Sequence, residues 1–228
     1  QKELTKFELL RNDFEMNFVN GELINASHIL DEIQSSFGYS LWIIENRMLL
    51  INHTEGFSEL RKFVNIVLDD DNINGLVKLI VDFTSNKIDQ NMNSKQYEEY
   101  MKDKFKELRK LNINPQLLNY ISFKLNCRSI EPISNYYDIL SLESDSSIID
   151  RYITFKQVAQ QIDHKEYQDV FLESVNILDK YVDDIFLRNL QFFYNNKSNI
   201  IESKLDKDVN LLLEYYTNSD YDICLKLS

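Results

Sequence analysis

Apolar residues recur every three or four positions along most of the chain, the spacing that keeps side chains on one face of an α-helix. Leu4, Phe7, Leu10, Phe14 and Phe18 form one such stripe, Ile148, Tyr152, Phe155, Ala159 and Ile162 a second, and Ile201, Leu205, Val209, Leu212 and Tyr216 a third. Each defines a face to be buried against neighbouring helices. Helix-end signals lie between the stripes. Asn114 before Pro115 reads as an N-cap followed by Pro at the first helical position, and Asn93 with Gln96 as a capping box. Gly56 and Gly75 follow apolar runs closely enough to end a helix or occupy the turn after it. The pattern predicts about ten helices of roughly 12 to 20 residues with short connections. The least helical stretch runs from Asn126 to Ser147, where Pro132 and a serine cluster interrupt the periodicity. It separates two expected lobes, residues 1–128 and 129–228, the second continuous with the first.

A ladder near the N-terminus points to internal repetition. Gly21, Leu23, Ala26, Leu30 and Ile33 sit at offsets 0, 2, 5, 9 and 12, and Gly56 follows Gly21 by 35 residues. This segment resembles the tetratricopeptide-repeat family, whose period is about 34 residues. A second copy is proposed where Ile29, Leu30, Asp31 recurs as Ile177, Leu178, Asp179, an offset of 148 that sets Phe171, Ser174 and Tyr181 opposite Leu23, Ala26 and Ile33. Two antiparallel helices approach closely only where one side chain is small, with large side chains filling the grooves on either side. Two departures stand out. Asp169 occupies the slot of the turn glycine in the second copy, and the whole chain has only two alanines, Ala26 and Ala159. The resemblance implies antiparallel helix pairs stacked as a short solenoid; an irregular helical bundle is the alternative.

Composition narrows the fold class further. The 228 residues include four Gly and two Pro, about 3% where average usage gives roughly 12%. Sandwiches, barrels and doubly wound sheets need many tight turns, so an all-α fold is expected. Lys and Arg total 25 against 37 Asp and Glu, a net charge of −12. That charge opposes binding to phosphate backbones and anionic membranes and favours a basic protein or peptide as partner. Two cysteines, Cys127 and Cys224, cannot build a disulfide framework or a four-ligand zinc site, which suits a reducing, cytoplasmic compartment. No apolar run approaches the roughly 20 residues of a membrane helix. The chain opens on Gln1, as expected of a piece of a longer or processed polypeptide, and a removed secretory signal would leave the same trace. A chain rich in Asn, Ile, Lys and Tyr and almost free of Ala also looks like coding from AT-rich DNA, as in many bacterial, phage or mobile-element proteins.

Several residues invite chemical readings. Asp70, Asn72, Asn74 and Gly75 occupy positions 1, 3, 5 and 6 of a calcium-loop pattern, but Val81 stands where the bidentate Glu is needed. The run therefore reads as an acidic turn between helices. His28 lies one turn from Asp31 and Glu32, His53 at the end of the next expected helix, and His164 after Asp163 at a helix N-terminus. Nothing gathers the three or four ligands that zinc needs. Cys127 reads as a packing residue rather than an activated thiol. No phosphate-binding loop, nucleophile elbow or paired-cysteine motif is present. Trp42 and Tyr39 read as core aromatics, and Lys102, Lys104, Lys106, Arg109 and Lys110, interleaved with Asp103 and Glu107, as a solvated salt-bridged face.

The expected binding anchors are aromatic. Phe192, Phe193 and Tyr194 cannot all face one core, because adjacent helical residues diverge by about 100°, and the Tyr215, Tyr216 and Tyr136, Tyr137 pairs pose the same problem. Phe192, Phe193, Tyr194, Tyr215 and Tyr216 are the candidate binding residues, with no catalytic residue, metal or cofactor expected. The functional expectation is a non-catalytic helical interaction, scaffold or regulatory module that recognises a protein or peptide, with a bacterial or phage conflict system as its expected setting by association. Its rivals are an acidic mimic of DNA and the helical part of an enzyme whose catalytic region is missing or dispersed.

Overall fold

A computed structural model describes residues 2–88, 92–127, 130, 135–161 and 165–196. These residues form eleven helices and no strand. The helices are α1 (Lys2–Val19), α2 (Leu23–Phe37), α3 (Leu41–Thr54), α4 (Phe57–Asp69), α5 (Gly75–Ile88), α6 (Ser94–Lys110), α7 (Pro115–Leu125), α8 (Tyr136–Leu142), α9 (Ile148–Gln161), α10 (Lys165–Asp179) and α11 (Ile185–Asn196). The all-α expectation holds. The third apolar stripe, with Pro132, Asp163, His164 and Cys224, lies outside the described residues.

Local chemistry sets the helix ends. Asn93 and Gln96 form a reciprocal capping box, with both hydrogen bonds at 2.9 Å. Asn114 Oδ1 accepts from the Gln116 N–H at 2.9 Å while Pro115 takes the first helical position. Asn126, left-handed at φ 55°, caps the end of α7. Gly56 ends the short connection after α3 at φ +86° and ψ 177°, a region that side chains other than glycine's hydrogen do not tolerate. Gly75, expected to end a helix or to lie in the turn after it, follows the turn of residues 70–74 and is the first residue of α5.

The chain divides into two compact units, Gln1–Asp184 and Ile185–Ser228. In the first, successive helices pack in pairs from α1 to α5, α3 and α7 also pack on α5, and α9 packs on α1 and α3. A linear solenoid brings only neighbouring units together. Here α9 returns across 109 residues, the separation between Leu41 and Asp150, and closes the N-terminal helix pairs around a shared core. Helices on both sides of residue 129 thus share one unit. Phe7, Leu30, Ile33, Ile43, Ile44 and Met48 are almost wholly buried there. Trp42 packs edge-on to Phe7 and Phe14, at 5.2 and 5.8 Å between ring centroids.

The repeat ladder reads differently in its two copies. Ala26, Leu30 and Ile33 are fully buried where α2 meets its neighbours. At the offset of 148, Phe171 is buried, but Tyr181 is 48% exposed where Ile33 is fully covered. The second segment buries Phe171 and Val175, but α10 ends at Asp179, so Tyr181 falls in the turn beyond the helix where Ile33 lies within α2.

Candidate functional site

The corner where α1 turns into α2 carries the two most exposed large apolar side chains among the described residues, Val19 at 82% and Ile24 at 76%. Gly21, at φ +76°, lies in the tight turn between them. Helix α1 places Leu4, Phe7 and Phe14 inside the core, and on its opposite face Leu9 and Met16, seven residues apart, are each 62% exposed. Exposed Asn12 and Asp13 lie between them, so the outward side of α1 carries separate apolar side chains among polar ones, on a side that packing on the core does not use.

Beside this corner a groove of about 390 Å³ runs between α2 and α3, lined by Leu23, Ile24, Leu50 and Ile51 with Ser27, His28, Arg47, Thr54 and Glu55 at its edges. Arg47 does not stand free in it. Its guanidinium pairs with Asp31 at 2.7 Å and donates to Gln34 Oε1 at 3.0 Å. Glu55 lines the groove and Glu22 precedes it, accepting at 3.0 Å from the Asn25 side-chain amide. Among the described residues neither of these glutamates has an ion-pair partner. Sequence periodicity had passed over the site, although Ile24, out of phase with Ala26, Leu30 and Ile33, was its visible signal.

A second cleft, also of about 390 Å³, is polar. It forms where the N-termini of α3, α5 and α9 converge, with Tyr120, Leu142 and Asp145 in its wall. Its deepest charge is Asp150. One carboxylate oxygen accepts from the Leu41 N–H at 2.8 Å and from the Ser147 hydroxyl at 3.0 Å, and the other accepts from the Trp42 N–H at 3.1 Å. Burial raises the Asp150 pKa, against the lowering effect of those two backbone donors. Asp150 thereby ties the N-terminus of α3 to that of α9, with the charge at the positive end of both helix dipoles. Tyr39, expected in the core, is 54% exposed at the rim of this cleft, because it belongs to the connection before α3 and not to a helix face.

Two buried ion-pair networks lie in the first unit, one of them behind the Tyr120 wall of the polar cleft, and residue spacing does not pair their members. Lys124 pairs with Glu143 at 2.7 Å, and the Tyr120 and Thr154 hydroxyls both donate to the same Glu143 oxygen at 2.9 Å. Lys156 donates to Asp184 at 2.5 Å, Tyr152 donates to it at 2.7 Å, and Glu8 lies 3.7 Å from Lys156 and 2.9 Å from Arg11. Burial raises the pKa of Glu8 and of both tyrosines, and the neighbouring carboxylates push the tyrosines further up. A mark was present in the sequence. Lys124 and Lys156 each stand four residues after a buried tyrosine, on the apolar stripe, where an unpaired charge is not tolerated.

The remaining candidates fall at separate places. Phe192 is 70% exposed on α11, whereas Tyr194 is buried and its hydroxyl pKa is pushed up to about 12 by burial. Tyr194 thus presents no open ring to a partner. The Phe193 side chain and residues Tyr215 and Tyr216 lie outside the described residues. Tyr136 packs edge-on to Phe123, while Tyr137 is exposed. His28 edges the α2–α3 groove, and His53 stacks edge-on to Phe18 at 5.5 Å. Cys127 is buried and its thiol is pushed up to about 11, which disfavours the reactive thiolate. Asp70 Oδ1 accepts from both nitrogens of Asn72, and Asn74 Oδ1 accepts from the Leu76 N–H, so the acidic turn uses its oxygens to start α5. The basic stretch of α6 is salt-bridged, Lys102 to Glu98 at 2.6 Å and Lys104 to Glu107 at 2.9 Å. No helix among the described residues is long and apolar enough to cross a membrane.

The class defined here is an all-helical protein with an apolar inter-helix groove and a polar cleft on one compact unit. Compared with protein-family models, curated proteins and solved structures, the chain matches none.

Proposed function

We propose that the chain is a non-catalytic helical module, similar to tetratricopeptide repeats in its N-terminal helix pairs, that recognises a basic protein or peptide. The carrying observation is the outward side of α1, where Leu9 and Met16 are each 62% exposed and Val19 82%. Exposed large apolar side chains that the core does not use can serve as anchors for a partner. The net charge of −12 selects the sign of the partner and speeds encounter with it. Phe192 supplies a further exposed aromatic ring on α11. A regulatory part of a bacterial or phage conflict system, in the cytoplasm, is the setting we propose by association with the Ala-poor composition of AT-rich coding.

Affinity capture with mass spectrometry tests this reading, using the intact chain, L9S/M16S and Phe192→Ala. A basic protein retained by the intact chain and lost from L9S/M16S or Phe192→Ala supports it. Retention of nothing, or of the same proteins by all three, removes it.

A further inference from the structure

We infer that the groove between α2 and α3 takes an amphipathic helix whose apolar face is flanked by Lys or Arg. This inference rests on the interaction-module reading and names the element that the partner inserts. The groove floor is apolar, formed by Leu23, Ile24, Leu50 and Ile51. Along α3 it runs from Arg47 to Glu55, eight residues and so about 12 Å at the helical rise. That length seats about two turns of a bound helix, the span read by anchors at i, i+3 or i+4, and i+7.

Charge fixes the flanks of the occupant. The one guanidinium at the groove edge is held by Asp31 at 2.7 Å. Glu55 at the groove end and Glu22 at the corner have no ion-pair partner among the described residues. An incoming helix therefore meets apolar side chains along the middle and carboxylates at the end formed by the start of α2 and the end of α3. Ile24 and Val19, at 76% and 82% exposure, widen the apolar strip at that same end. A helix with acidic flanks would place like charges against Glu22 and Glu55, which disfavours it.

The test is fluorescence anisotropy with the intact chain and a fluorescein-labelled synthetic helix, Leu at the i, i+4 and i+7 positions and Lys elsewhere. The same peptide with Glu for Lys, and with Ala for Leu, serve as comparisons. The Lys–Leu peptide is expected to bind and both comparison peptides to bind much more weakly. Ile24→Ser should weaken it at least about tenfold, E55Q by a few-fold, and Ile66→Ser, an exposed position on α4, not at all. Hydrogen exchange should show protection by the peptide at 23–28 and 47–55. Equal binding by Ile24→Ser and Ile66→Ser, binding that survives replacement of Leu by Ala, or protection centred elsewhere overturns the inference. So does a dimer of the chain in sedimentation that Ile24→Ser abolishes, since the groove would then hold a second copy. A basic partner captured as strongly by Ile24→Ser as by the intact chain also overturns the groove assignment, while leaving the interaction-module reading intact.

Discussion

At the scale of single residues, the buried ion pair of Lys124 and Glu143 and the half-buried Glu45 carry the sharpest expectations. Lys124 and Glu143 are 7% and 3% exposed, so removing the ammonium leaves a carboxylate in the interior without its counter-charge. Lys124→Met should lower the unfolding free energy by about 3 to 5 kcal/mol. The check is the midpoint of urea unfolding at unchanged slope, and K124M/E143M, which removes both charges, should recover only part of the loss, because the buried Tyr120 and Thr154 hydroxyls then lose their shared acceptor. Glu45 gives a pH signature. Burial lifts its pKa from 4.5 to about 7, with Asp150 adding to the rise and Lys124 and Lys87 opposing it. Above about pH 4.5 the unfolded chain gives up this proton, while the folded protein keeps it to about pH 7. Stability therefore falls with rising pH across that window, by at most about 1.4 kcal/mol per pH unit, and levels off beyond it. Glu45→Gln should flatten that part of the stability profile, and an unchanged profile would contradict the assignment. Neither effect was legible in the sequence, because a lysine or glutamate on an apolar stripe names no partner until the fold brings one from another helix.

At the scale of helices, much was legible. Capping residues act within four positions of the backbone they serve, so Asn93 with Gln96 and Asn114 with Pro115 could be assigned from spacing alone. Asn93→Ala should cost about 1 kcal/mol, read from thermal unfolding. The cap of α3 is different in kind. Ser40 supplies the local part, accepting from the Ile43 N–H at 3.1 Å, while the Leu41 and Trp42 amides are served by Asp150 from α9. Asp150→Ala should speed hydrogen exchange at those two amides while leaving the rest of α3 protected, and it should cost about 1.5 to 3 kcal/mol. Uniform exchange along α3 in the variant would mean that the helix depends on more than this clamp. The exposed corner at Val19 and Ile24 was legible only in part: Ile24 stands out of phase with Ala26, Leu30 and Ile33, but periodicity marks the residues that face inward and gives no weight to apolar residues that face out.

At the scale of the molecule, the return of α9 onto α1 and α3 decides how the first unit comes apart. A linear array of repeats can lose its end units first. In this unit Trp42, the single tryptophan, packs its ring on Phe7 and Phe14 of α1 and donates its backbone N–H to Asp150 of α9, so α1, α3 and α9 meet at one residue. Denaturation followed by tryptophan fluorescence and by far-ultraviolet circular dichroism of this unit should show coincident transitions; fluorescence changing well before helix content would indicate separable unfolding. The Asp150 clamp also bears on synthesis. The residues it joins are 109 positions apart, and chains emerge from the ribosome N-terminal end first. For the time needed to make α4 through α8, the first amides of α3 wait without their carboxylate. The nascent N-terminal helices are then held by their mutual packing alone, and this is the interval in which a chaperone or a premature partner would find them open.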